Sequence, residues 1–215
     1  MYKLAIVVPI YIDKNNYYTQ LFYDEIASLD SDILKNIELI FVDDCSPVPV
    51  KINTKDNVNF KLLRVDDDIF WNVSGAKNLG SFVSNSEKIL FIDLDHRVSE
   101  AGIKQLVELT LNSNQLVNFD RGDKIVPGIF CLNLAYYKKM GGLDEIFAGA
   151  YGYEDVHFQM RHKKYSGNTL ILNGVLSYRG GEHHHTIKKV VKNKEKLRNL
   201  THSGLFLNFK WHKVV

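Results

Sequence analysis

Asp93-Leu94-Asp95 follows an apolar run, Lys88 to Ile92, that reads as a strand. In extended chain, alternate side chains point the same way, so two carboxylates at i and i+2 can share one hard cation. Mg²⁺ or Mn²⁺ with a diphosphate is the natural partner of such a pair, because these ions keep few protein ligands and complete their shells with phosphate oxygens. The plainer alternative is a solvated strand-end turn. Asp43-Asp44 ends a second apolar run and offers acceptor-only oxygens for a base N–H or a ribose hydroxyl, or else a turn running into Ser46-Pro47. Glu154-Asp155 follows Tyr151-Gly152-Tyr153 at the start of a helical stretch. Acids there suit the positive end of the helix dipole, and one could also serve as a general base. Arg179-Gly180-Gly181-Glu182-His183-His184-His185 supplies imidazoles that could complete a metal shell or form a solvated His cluster.

These residues need elements to position them. Residues 4–8, 37–42, 60–65 and 88–92 are apolar runs of strand length, and helical spacing links Leu21, Phe22, Ile26 and Leu29, then 74–84, then 100–111. Alternating strands and helices predict an α/β fold with a mostly parallel central sheet, in which ligands gather beyond the carboxyl ends of the strands. Pro9 is expected to end the first strand and Ser74 to cap a helix. Past residue 120 a strand is expected over 125–134, a short helix to Met140, a helix from Glu154 to about Lys164 and a last strand over 169–178.

The chain has 215 residues with 27 basic and 25 acidic side chains, a formal net charge of +2. No strong field draws in nucleic acid, so no nucleic-acid partner is expected. Two cysteines, Cys45 and Cys131, make no disulfide framework and fit a reducing compartment. No apolar stretch approaches the ~20 residues of a membrane-spanning helix, and the run after Met1-Tyr2-Lys3 is too short for a signal-peptide core. The expected location is therefore cytoplasmic. Lys188, Lys189, Lys192, Lys194, Lys196 and Arg198 crowd a segment that could lie against an anionic membrane or be an ordinary solvated face.

In order along the chain stand Val7-Val8-Pro9-Ile10-Tyr11, Val42-Asp43-Asp44-Cys45-Ser46, Gly75-Ala76-Lys77-Asn78-Leu79-Gly80, Asp93-Leu94-Asp95, Gly141-Gly142-Leu143-Asp144-Glu145 and Glu154-Asp155. This series resembles the inverting nucleotide-sugar glycosyltransferases of the GT-A fold: family 2 and the related galactosyl-, N-acetylgalactosaminyl- and chondroitin-type transferases. The resemblance covers roughly residues 3–185. It implies a Rossmann-like nucleotide-diphospho-sugar transferase fold, a UDP-sugar donor, a glycan or glycoconjugate acceptor hydroxyl, and Mn²⁺ or Mg²⁺. It implies that Pro9, Tyr11 and Asp44 hold uracil and ribose, that Asp93 contacts the nucleotide and Asp95 the metal, and that Lys77, where the family often carries Arg, lies near the diphosphate or the acidic cluster. Glu154 would bind acceptor and Asp155 would be the base. A metal-binding His would follow the last strand, with His183 favoured over His184 and His185. One domain over 1–215 is expected: a nucleotide-binding half (1–112), an acceptor and catalytic half (113–185) and a basic C-terminal segment (186–215). A nucleotidyltransferase acting on sugar phosphates, or a non-catalytic carbohydrate-binding protein, could share the architecture.

Overall fold

The strand Tyr2–Ile10 (β1) is built around Leu-Ala-Ile-Val-Val, buried on both faces. Such a strand must lie in the middle of a sheet. In the computed structural model, which describes residues 1–13, 17–122, 124–165, 167–179 and 191–215 (Val191 and Lys192 by backbone only), it lies between two parallel neighbours, Ile37–Asp44 (β2) and Ser86–Phe91 (β4). Phe60–Val65 (β3) pairs parallel beyond β2. Pro9 does not end β1. Pairing with β4 stops at Val7, so the missing N–H of Pro9 falls where that side of β1 has no ladder partner.

On the other side of β4 the sheet turns antiparallel through Ile125–Asn133 (β7) and Gln115–Asp120 (β6), and Asn168–Leu172 (β8) closes that edge parallel to β6. The order is β10-β3-β2-β1-β4-β7-β6-β8, with Trp211–Lys213 (β10) antiparallel on β3. The expected strand over 169–178 is two strands. Gly174, at φ 72°, turns the chain out of the large sheet, and Leu176–Tyr178 (β9) pairs instead with His96–Val98 (β5).

Alternation along β1 sorts its side chains between two cores. Leu4, Ile6 and Val8 face Phe22 of the helix Tyr17–Ala27 (α1) and Ile103 and Leu106 of the helix Glu100–Glu108 (α4), with the short helix Ser31–Leu34 (α2) alongside. Ala5 and Val7 face Ala76 of the helix Val73–Val83 (α3), Tyr137 of the helix Leu134–Lys139 (α5) and Phe158 of the helix Glu154–Lys164 (α6). Asn72 rather than Ser74 stands at the N-cap of α3. The short helix Val191–Lys196 (α7) follows β9. Among the described residues no helix is long and apolar enough to cross a membrane.

Candidate active site

The carboxyl ends of β1, β2 and β4 meet where the strand order reverses about β1, the place where open α/β sheets bind ligands. A cleft of about 780 Å³ opens there. Pro9, Tyr11 and Asp44 line it from β1 and β2, Asp93 and Asp95 from the end of β4, and Tyr151 to Asp155 from across it. All eight of the described residues expected to act on donor, metal or acceptor (Pro9, Tyr11, Asp44, Lys77, Asp93, Asp95, Glu154 and Asp155) line this one space. His183, His184 and His185 lie outside the described residues.

Residues 93–96 form a turn closed by the His96 N–H on the Asp93 carbonyl, 3.0 Å. Within it Asp93, Asp95 and His96 each offer a ligand atom, all within 4.8 Å of one another. His96 Nδ1 lies 2.6 Å from Asp95 Oδ1, and His96 Nε2 is buried with no hydrogen-bond partner among the described residues. Two carboxylates and an imidazole fit a divalent cation such as Mn²⁺, and an orphaned ring nitrogen beside them is chemistry that a ligand would satisfy. The family resemblance points to a His after the last strand and not to His96, although His96 directly follows Asp93-Leu94-Asp95.

Lys77 reaches from α3 to the same turn. Its ammonium, only 2% exposed, donates to Asp93 Oδ1 at 3.1 Å and to the Gly128 carbonyl at 3.0 Å. Gly128 in β7 leaves room for this meeting: a Cβ there would sit 3.3 Å from Asp155 Oδ2 and 3.4 Å from Asp93 Oδ2. Asp155, the acid expected as base, and Asp93 of the candidate cation turn thus converge beside Gly128, where a Cβ would crowd both carboxylates.

Glu154 and Asp155 begin α6 directly after Tyr153, which is held at φ 77°. Burial raises both carboxyls from their ordinary values, Glu154 to about 7. The Asp155 charge raises Glu154 further, while the Val156 N–H and Lys77 oppose the rise at Asp155. Glu154 Oε2 is buried and has no partner among the described residues.

Asp43 and Asp44 separate, as strand alternation requires. Asp43 is spent inside the protein, paired with Arg64 at 2.5 Å and accepting from the Ser46 N–H at 2.9 Å. Asp44 faces the cleft and accepts from the Asn72 backbone N–H (3.2 Å) and Asn72 Nδ2 (3.3 Å). Burial pushes its carboxyl up to about 6, against the lowering effect of those bonds. Cys45, Trp71 and Tyr153 are the non-glycine residues with positive φ among those described, and each adjoins a residue of this site. Strain of this kind persists where surrounding bonds over-determine the backbone.

The rim carries an unforeseen contact. Trp71 packs edge-on against Tyr151 with ring centroids 4.5 Å apart, and the Gly149 N–H donates to the Phe70 carbonyl at 2.8 Å. This joins the 70–72 segment to the 149–151 loop. Of the basic C-terminal segment, Lys188 and Lys189 lie outside the described residues. Lys196 turns inward, donating to the Ile146 carbonyl and lying 5.7 Å from the Phe147 ring centre.

No known protein family and no curated protein matches the sequence. Solved structures do match the fold. A Drosophila β1,4-galactosyltransferase 7 mutant, in complex with manganese, UDP-Gal and xylobiose, superposes with a TM-score of 0.62 at 15% identity, over 93% of this chain and 80% of that one. TarS 1–349 of S. aureus with UDP-GlcNAc gives 0.62 at 15% identity over 84% of this chain, and TarS 1–349 alone gives 0.60 at 17% over 82%. The chain spans 60% and 59% of the two TarS chains. The α/β architecture is thus the GT-A glycosyltransferase fold.

Proposed function

We propose that this chain is a metal-dependent, inverting glycosyltransferase that moves a sugar from a UDP-sugar to a hydroxyl of a glycan or glycoconjugate. The observation that carries this reading is the convergence of Asp155 and Asp93, the first residue of the turn that also carries Asp95 and His96, beside Gly128 in one cleft at the switch point of the sheet. The solved neighbours bind UDP-Gal with manganese, or UDP-GlcNAc, on the same fold.

In this reading residues 1–112 hold the donor and 113–185 carry the acceptor side. Tyr11 and Pro9 flank the uracil, and Asp44 accepts from the nucleoside. Asp93, Asp95 and His96 would hold Mn²⁺ or Mg²⁺, which neutralises charge on the departing diphosphate. Glu154 accepts a hydrogen bond from the acceptor. Asp155 takes the proton of the attacking hydroxyl. The acceptor oxygen bonds the anomeric carbon from the face opposite the diphosphate, and the bond to the diphosphate oxygen breaks with its electron pair leaving on that oxygen. A base must be unprotonated to act, so the raised Asp155 carboxyl is expected to move the acidic limb of activity upward in pH.

The test is UDP release from a panel of UDP-sugars, with and without Mn²⁺ and with candidate glycosides as acceptors. Mn²⁺-dependent release accompanied by a product of inverted anomeric configuration supports the reading. Retention rejects the single displacement, and no turnover of any UDP-sugar rejects the donor class.

A further inference from the structure

We propose that Arg179 is a positioning residue for the cation-binding turn, holding Asp95 and His96 in the geometry that takes a divalent ion. The inference rests on the reading of that turn as a metal site, and adds to it a residue that touches neither metal nor substrate.

Arg179 is the first residue after β9. Its backbone N–H donates to the Asp95 carbonyl at 2.8 Å, and its side-chain Nε donates to the His96 carbonyl at 3.0 Å. One residue thus holds two successive carbonyls of the turn whose side chains are the candidate ligands. The guanidinium is itself fixed: Nη2 meets Glu25 Oε2 of α1 at 2.5 Å, and its carbon lies 4.9 Å from the centre of the Phe22 ring. The clamp therefore runs from α1 across to β5.

Stability alone does not account for this arrangement. The Arg179 side chain is 8% exposed, and Nη1 is buried with no partner among the described residues. Burying a guanidinium with an unsatisfied nitrogen costs desolvation that an apolar side chain of similar length would avoid. What methionine could not supply is the Nε–H that holds the His96 carbonyl while Nη2 anchors the same rigid plane to Glu25; the backbone bond to the Asp95 carbonyl would remain. Glu25 would keep a partner without Arg179, since Arg97 Nε lies 3.6 Å from the same oxygen. Arg179→Met is therefore expected to fold.

The measurement is binding of Mn²⁺ alone, followed by the loss of free-ion EPR signal, well below the unfolding temperature of each protein. Outer-shell partners of metal ligands change affinity by roughly 10- to 100-fold. Arg179→Met is expected to weaken Mn²⁺ binding by about 10-fold or more. Glu25→Gln, which keeps Arg179 in place but loosens its anchor, is expected to weaken it less. Arg179→Lys, with one ammonium for two tasks, should fall between Arg179→Met and the native chain. Native affinity in a folded Arg179→Met overturns the positioning role and leaves the metal site standing. If Arg179→Met does not fold, native affinity in Glu25→Gln overturns it instead. Absence of Mn²⁺ binding by the native chain overturns both this inference and the metal-dependent reading.

Discussion

The two walls of the cleft are held by different means. One wall is made of strand ends: Pro9 to Tyr11, Asp44 and Asp93 lie at or just past the carboxyl ends of β1, β2 and β4, so the ladders of a central sheet set their positions. The other wall, Tyr151 to Asp155, is a loop and a helix start, and buried side chains hold it from a distance. Arg161, 1% exposed, donates to the Met140 and Gly142 carbonyls and ties α6 to the Gly141-Gly142 turn. Asn78 of α3 donates to the Leu143 carbonyl (2.9 Å) and to Glu145 (2.7 Å), and accepts from Tyr137 (2.6 Å) and the Leu143 N–H (3.0 Å). Asn193 of α7 reaches the loop from outside. A wall built on a ladder tolerates loss of any single side chain. A wall built on a few long-range hydrogen bonds does not.

If labour divides as the walls do, chemistry should fail on one and binding on the other. Asp155→Asn is expected to lower turnover by roughly 10²-fold or more, the scale of general-base removal, with donor affinity nearly kept. Asp95→Ala is expected to abolish Mn²⁺-dependent UDP binding with the fold intact. Steady-state rates and calorimetry on both variants check this. A Asp155→Asn protein that loses donor affinity instead would erase the distinction.

The contrast in support is sharpest at Asn78. Asn78→Ala removes four hydrogen bonds and strands partly buried partners, a cost of about 3 kcal/mol in urea unfolding, since each unsatisfied group costs about 1–3. Removal of the exposed Tyr11 ring by Tyr11→Ala should change stability by no more than about 0.5 kcal/mol. Equal losses at the two positions would show that the walls are supported alike.

Asp44 is the strand-end residue for which function and stability conflict. Its carboxyl rises from 3.8 to about 6 on folding. The folded state thus binds this proton more tightly, so the group's contribution is fully present below pH 3.8 and lost as pH rises through about 6. A shift of that size is worth up to about 3 kcal/mol above pH 6. Asp44→Asn carries no charge to bury. Asn72 Oδ1, buried without a partner among the described residues, could accept from the new amide after a flip. The variant is therefore expected to gain stability over the native chain as pH rises from 4 to 8, and to bind UDP less well. A stability difference that does not change with pH would show that Asp44 ionises freely in the fold.

The same contrast explains what was legible. Strand-end acids announce themselves because an apolar run followed by Asp is a local pattern, and period-two alternation even separates Asp43 from Asp44. Strand β6 carries no clear sequence signature, because Asn118 interrupts its apolar run. That amide is satisfied by Gln159, 41 residues away, through paired bonds of 3.1 and 2.8 Å. The split of 169–178 and the three-residue β5 and β10 depend on partners remote in sequence, and three residues carry no period. His96 adjoined the motif, and its burial beside Asp95 had no local signature. The expectations at 183–185 lie outside the described residues.

The smallest effect tests whether the distant wall is held from outside at all. Asn193 is fully buried, and its Nδ2 donates to the Phe147, Ala150 and Gly152 carbonyls at 3.1, 2.8 and 2.9 Å. Those carbonyls flank Tyr151, whose ring meets Trp71. Asn193→Asp keeps the shape, removes both N–H donors and sets a carboxylate against three carbonyl oxygens. The loop should loosen locally, at a cost of about 1–2 kcal/mol for the lost bonds. The sequence has two tryptophans, Trp71 and Trp211, so a Trp211→Phe background leaves Trp71 as sole reporter at the rim. In that background Asn193→Asp is expected to expose Trp71 to acrylamide quenching and to raise the acceptor KM, while kcat and UDP affinity stay near native. Asn193→Ala, which loses the bonds without adding charge, should move the same readouts by less. If quenching is unchanged in both variants while thermal stability falls, Asn193 fastens α7 alone, and the loop keeps its shape through the Gly149–Phe70 bond and the Trp71 contact.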